Sequence, residues 1–158
     1  MLVVYHTRDG NTRKVAEALA TACHGDLEEV REVGVNRKGL RGWLYAGRDA
    51  MRQKTSAIES EGKRPGDYDV VCVGSPVWAG NVAPAIRTYL SERGTEAKKL
   101  ALFCTMGSSS AGGIFASMRA LVPAASILGE LAVPQREVRD ADALRARVEE
   151  WVAQVIRA

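Results

Sequence analysis

Thr7, Gly10 and Thr12 stand close together between an apolar run at 2–6 and a segment, 12–23, in which Val15, Leu19 and Ala22 recur at helical spacing. Two hydroxyls, a permissive glycine and a run of backbone amides at a helix start form a concave set of donors. The positive end of the helix dipole reinforces it. The chemistry open to such a loop is capture of an anion, and a phosphate suits it best. Thr7, Arg8, Asp9, Gly10, Asn11 and Thr12 lack the lysine of a triphosphate loop, G-x-x-x-x-G-K-S/T, and the G-x-G-x-x-G of a dinucleotide fold. What they offer fits one terminal monophosphate. An aspartate beside a dianion is costly unless Arg8 or Arg13 pairs with it, so Asp9 is expected to turn away or to bond backbone amides.

Two later segments carry chemistry of another kind. Residues 74–84, GSPVWAGNVAP, place Trp78 among turn residues: Pro76 stiffens the segment and Gly80 accepts a positive φ. A flat aromatic there suits a planar ligand. Residues 105–113 are mostly small, with Thr105, Met106, Gly107, Ser108 and Gly112 offering backbone donors.

The elements that must position these loops alternate along the chain. Strands are expected at 2–6, 26–32, 67–74, 99–104 and 126–134, and helices at 12–23, 39–53, 82–92, 114–121 and 142–156. The 67–74 run is continuously apolar, as a central strand buried on both faces requires. Alternation of this kind builds an α/β fold with a parallel sheet covered on both faces. One excursion, 34–67, interrupts it. Within it Leu40, Trp43, Leu44, Gly47 and Met51 mark an apolar helix face, with Arg41, Arg48 and Arg52 expected opposite, and the stretch that follows reads as loop. The 158 residues are read as a single domain, 1–158.

Val3, Val4, Tyr5, Thr7, Gly10, Thr12, Ala16 and Leu19 fill every specified place of the phosphate-binding signature of flavodoxins, and the chain resembles that family. The resemblance implies a flavodoxin-like doubly wound sheet of order 2-1-3-4-5, with flavin mononucleotide (FMN) as cofactor at the carboxyl ends of its strands. It assigns the phosphate to residues 7–12. The segment containing Pro76, Val77, Trp78, Ala79, Gly80 and Asn81 resembles the family's G-S/T-P-x-W-x-G, which places Trp78 against one flavin face and Ala79 and Gly80 near the ring nitrogen protonated on reduction. In many flavodoxins a glycine follows the tryptophan; here Ala79 does. The third loop would meet the pyrimidine edge. It lacks the second aromatic common in the family, which leaves the outer flavin face open to a small substrate or a partner.

Charge bears on the role. The chain carries 22 Lys and Arg against 19 Asp and Glu, a net +3. Electron-carrier flavodoxins are typically acidic. Between Arg31 and Arg64 nine basic residues face four acidic ones, so an acidic partner or an anionic ligand is expected there. The excess is too mild, and too poor in interleaved aromatics, for nucleic-acid binding. The reading is an electron-transfer flavoprotein whose partner is a redox protein or a small acceptor such as a quinone. Alternatives are an FMN-dependent NAD(P)H:quinone oxidoreductase, a protoporphyrinogen oxidase, whose menaquinone-dependent family shares the T-R-D-G of Thr7–Gly10, or a non-catalytic interaction module. No side chain is read as a catalytic acid or base. His6, at a strand end beside the first loop, is a possible ligand contact, and His24 a partner of the helix dipole. Cys23, Cys72 and Cys104 are widely spaced and form no metal or disulfide pattern. With no leader and no apolar run of spanning length, the chain reads as soluble and cytoplasmic.

Overall fold

Side-chain alternation divides the first strand between two cores: Val3 and Tyr5 serve one, Leu2 and Val4 the other, and all four are buried. A strand apolar on both sides must lie inside a sheet with layers above and below. The computed structural model, which describes residues 1–35, 39–107, 111 and 113–157 and only the backbone at 39–41 and 43, has that arrangement. In chain order the elements are β1 (Leu2–Tyr5), α1 (Asn11–Cys23), β2 (Asp26–Glu29), β3 (Arg31–Glu32), α2 (Gly39–Met51), β4 (Ile58–Glu59) and β5 (Val71–Trp78). They continue as β6 (Asn81–Val82), α3 (Pro84–Arg93), β7 (Lys99–Met106), α4 (Ile114–Leu121), β8 (Ser126–Pro134), α5 (Gln135–Val138) and α6 (Ala141–Arg157).

The five long parallel strands pair in the order β2-β1-β5-β7-β8. Renumbered along the sheet this is 2-1-3-4-5, the expected doubly wound order. One core joins Val3, Tyr5, Cys72, Ala101 and Phe103 to α1 and α6; the other joins Leu2, Val4, Val71, Val73, Leu100 and Leu102 to α3 and α4. At about 1.5–3 kcal/mol for each fully buried aliphatic side chain, these two layers outweigh every polar contact described below. Gly74 is required by the first core, because a Cβ there would overlap the ring of Phe103. Between β7 and β8 the register slips once, at Leu100/Ala101.

Several boundaries differ from the sequence reading. The expected strand at 26–32 is broken at Val30: β2 joins the main sheet, while β3 turns away to pair antiparallel with β4, inside the stretch expected to be loop. The third strand runs to Trp78, so Pro76 and Val77 lie on a strand, which folds back through Ala79 and Gly80 onto β6. Both turn residues have positive φ, 48° and 76°, as a two-residue hairpin of the primed type demands. Asn81 Nδ2 donates to the Ala79 carbonyl (3.0 Å) and steadies the tip.

The excursion is fastened by polar clips. Glu28 is fully buried, and its Oε1 accepts from the amides of Gly62 (2.9 Å) and Lys63 (3.2 Å), while Arg93 donates to the Lys63 carbonyl (2.8 Å). The Thr88 hydroxyl accepts from the Ser56 amide (3.0 Å) and donates to its carbonyl (2.9 Å). The chain that follows helix α2 is therefore anchored. Its inward face differs from the expected one: Ala46 and Ala50 are buried with Trp78 and Ala83, whereas Leu44 and Met51 are 57% and 67% exposed. Small alanines let the helix approach Trp78 closely, which bulkier side chains would prevent.

Two substitutions test this packing. Gly74→Ala should destabilise the fold by about 1–3 kcal/mol in urea titration, with part of the loss recovered when Phe103→Leu is added. Ala79→Gly should raise stability by about 1 kcal/mol, because alanine is strained in the left-handed region, and a lowered urea midpoint would refute the turn geometry.

Candidate functional site

Parallel strands deliver their following loops to one edge, and here the segments after β1, β5 and β7 meet there around two adjoining cavities. The first holds about 180 Å³ and is bounded by Thr7, Arg8, Asp9, Asn11 and Thr12 after β1, Pro76, Val77 and Trp78 from β5, and Thr105 and Met106, which end β7 beyond the expected boundary, with Gly107 after them. The second, about 760 Å³, opens beside it and shares Arg8, Val77, Trp78 and Gly107. Ala79 and Gly80 line the second cavity. Gly10 and Asn81 shape their turns without lining either. Ser108 and Gly112 lie outside the described residues.

The first loop is built for an anion. Gly10, at φ 86°, is the N-cap of α1, and no side chain caps the helix, so the amides of its first turn keep their donor capacity. Thr7 Oγ1 accepts from the Gly10 amide (3.0 Å), which fixes the turn. Thr12, buried in the first turn of α1, shares a 2.9 Å hydrogen bond with the Thr105 hydroxyl, tying the first loop to the third at the base of the cleft.

The expected cost of Asp9 is met by its neighbour. Arg8 Nε donates to Asp9 Oδ2 (2.9 Å), and Asp9 is turned outward, its side chain 58% exposed. Arg8 Nη1 is buried and has no acceptor among the described residues, which leaves one charged donor available at the cleft. Arg13 points elsewhere, to Glu29 (2.7 Å). Burial raises the Glu29 carboxyl, but hydrogen bonds and charge from Arg31 and Arg13 outweigh it and hold the group below the ordinary carboxylate range.

Trp78 is less available than expected. It is 7% exposed, packs with Ala46, Ala50 and Ala83, and meets the ring of His6 edge-on at 5.6 Å between centroids. Much of its surface is taken up by α2; the remainder borders both cavities. His6 is itself buried and donates from Nδ1 to the Val30 carbonyl (2.8 Å), so it supports Trp78 and lines neither cavity. His24 is exposed, in the left-handed conformation that ends α1, and bonds the last carbonyls through its backbone amide. The sulfurs stand apart from the site: burial pushes the Cys72 and Cys104 thiols up to about 12. Among the described residues no cluster suited to a metal ion occurs, and no helix is long and apolar enough to cross a membrane.

Sequence reasoning missed Gln135, which closes the first cavity at the start of α5. Its one signal was position, immediately after the fifth strand and hence on the same edge. It also missed the outer wall of the second cavity. Leu44, Gly47, Arg48, Met51 and Arg52 line it together, so Arg48 and Arg52 form one stripe with residues of the face expected opposite them, at i, i+3, i+4, i+7 and i+8, while the side chains of Leu40, Arg41 and Trp43 lie outside the described residues.

Solved structures share the fold. A candidate flavoprotein from Bacteroides eggerthii superposes with a TM-score of 0.76 at 25% identity, covering 96% of each chain. A flavoprotein from Lactobacillus acidophilus, solved in complex with FMN, gives 0.73 at 21% identity over 89% of this chain and 97% of its own. A WrbA-like flavodoxin from Agrobacterium tumefaciens gives 0.60 at 15% identity over 99% and 96%. No curated protein matches the chain. The family model described as flavodoxin matches residues 1–154, and with the strand order and the three converging loops it places this chain in the flavodoxin family.

Proposed function

We propose that the chain binds FMN across the two cavities and exchanges electrons through it. The observation that carries this reading is the uncapped start of α1 beside the buried, unpartnered Arg8 Nη1: amides and one charged donor converge on a point where the described chain supplies no acceptor. A monophosphate answers that donor set without a lysine or a metal. The first cavity, at about 180 Å³, is below the roughly 300–1,000 Å³ typical of a whole small-molecule pocket, so it suits the phosphate end and the ring extends toward the second.

When bound, the flavin supplies the redox chemistry, and the protein contributes position and electronics. Thr7 and Gly10 hold the phosphate loop in shape. The Thr12–Thr105 bond keeps the first and third loops at a fixed separation. Gly107 and Met106 place backbone groups at the cleft wall, and Gln135 offers an amide opposite them. Asp9, neutralised by Arg8 and turned to solvent, does not oppose the phosphate. A second reading, in which the electron-exchanging partner is a small molecule and the chain an oxidoreductase, is favoured by the breadth of the second cavity and by the basic excess, which differs from the acidity of protein-docking carriers.

Fluorescence titration of the purified protein should show flavin emission quenched by one equivalent of FMN. Arg8→Gln should weaken FMN by about 1.5–3 kcal/mol, the range for a charged hydrogen bond, while riboflavin, which has no phosphate, binds the variant and the parent alike. An equal loss for both ligands would remove the phosphate from this loop. Mixed anaerobically with NAD(P)H and no second protein, the FMN-loaded chain should bleach if it is a small-molecule oxidoreductase; persistence of the oxidised spectrum would assign it to protein-mediated electron transfer.

A further inference from the structure

The second cavity holds features that the phosphate and its ribityl chain do not use. Its outer wall is the exposed stripe of α2, where Leu44 and Met51 lie beside Arg48 and Arg52. The opposite wall is Val77, Trp78 and the tight turn at Ala79 and Gly80. Gly47 faces the turn across the groove, where a Cβ would stand 3.8 Å from that of Ala79, an ordinary van der Waals separation. At about 760 Å³ the space lies toward the upper end of the range for small-molecule pockets, more than a flavin ring entering from its neighbour needs.

The electrostatics are one-sided. Among the described residues no carboxylate lines this cavity, while Arg8, Arg48 and Arg52 all do. Arg8 is engaged by Asp9. Arg48 stacks on the Tyr45 ring at 4.7 Å and lies 3.6 Å from Asp49 on its own helix, a long contact through one nitrogen that leaves its other donors to the cavity. Arg52 has no acidic partner among the described residues. Two guanidiniums one turn apart, above apolar walls set close together, match a molecule with two properties: a flat apolar body to displace water from Leu44, Met51 and Trp78, and an acid group at one margin to meet the arginines.

We propose that this groove is a binding site for a flat aromatic acid, a fused-ring carboxylate or sulfonate, held beside the flavin with its acid on Arg48 and Arg52. The proposal deepens the small-molecule reading above and depends on FMN occupying the adjoining cleft. The preference for a small molecule over a docked protein rests on shape: Arg48 and Arg52, though exposed, border a concave groove between α2 and the turn at Ala79 and Gly80.

The test uses FMN-loaded protein and two probes of one ring system: anthraquinone-2-sulfonate, permanently anionic, and 2-(hydroxymethyl)anthraquinone, neutral. Isothermal titration should show the sulfonate binding more tightly. The double variant Arg48→Gln/Arg52→Gln should weaken the sulfonate by roughly tenfold or more and the neutral probe by less than about twofold. Arg145→Gln/Arg157→Gln, which lowers net charge equally on the exposed face of α6, should leave the sulfonate unchanged and so separates a local site from overall charge. Equal affinity for the two probes, or equal loss in the two double variants, would overturn the proposal. Release of FMN by the sulfonate, or a tenfold loss of FMN affinity in Arg48→Gln/Arg52→Gln, would overturn it differently, by showing that the groove and its arginines belong to the cofactor. Failure of the parent protein to take up FMN at all would instead defeat the cofactor reading.

Discussion

A helix whose first amides have no side-chain cap among the described residues must find an acceptor elsewhere, and the carboxyl edge of this sheet is organised around that requirement. Gly10 occupies the N-cap of α1 in a left-handed conformation and supplies no side chain. The threonine that would serve as a cap at another helix, Thr7, instead accepts from Gly10 and braces the turn. Arg13 is drawn off to Glu29, and Asp9, the carboxylate of the loop itself, is held outward by Arg8. Each local choice withholds an internal acceptor. An unfilled helix start costs stability; ion pairs around it keep the opening intact for a ligand.

Much of this was legible in the residues because it is local. Hydroxyls, a glycine and amides at fixed offsets after an apolar strand constrain the backbone whatever surrounds them, and continuous apolar runs mark strands buried on both faces. Gly80 lies in a turn with positive φ, as the pattern placed it, while Trp78 and Thr105, expected in loops, stand among the last residues of strands that share an edge. What stayed hidden depends on partners distant in sequence. Glu28 reads as one more outward glutamate in an alternating strand, and is buried only because amides at Gly62 and Lys63 return to meet it. The face that α2 turns inward was misjudged for a similar reason: periodicity ranks Leu44 and Met51 above alanine, but space beside Trp78 admits only Ala46 and Ala50.

That misjudgement bears on function. A helix that buries its small residues must display its large ones, so α2 brings leucine, methionine and arginine together into a wall that hydrophobicity alone would have turned to the core. Trp78 is the hinge of the exchange. Pressed beneath α2 and braced by His6, it serves as the floor shared by both cavities more than as a free stacking plate. The excursion, interrupting an otherwise regular alternation, adds a wall to one side of the cleft and makes an open groove there.

The slip in pairing between β7 and β8 has its own consequence. It falls on the outermost strand at one margin of the sheet, where Glu130 is held by Arg119 and Pro134 withholds a donor at the end. At the other margin β2 is four residues long, three of them acidic, before β3 veers off to pair with β4. A stray strand seeking to extend the ladder meets distortion and charge on one flank, brevity and charge on the other, so the sheet resists the self-templated stacking to which a long, flat, bare border is prone.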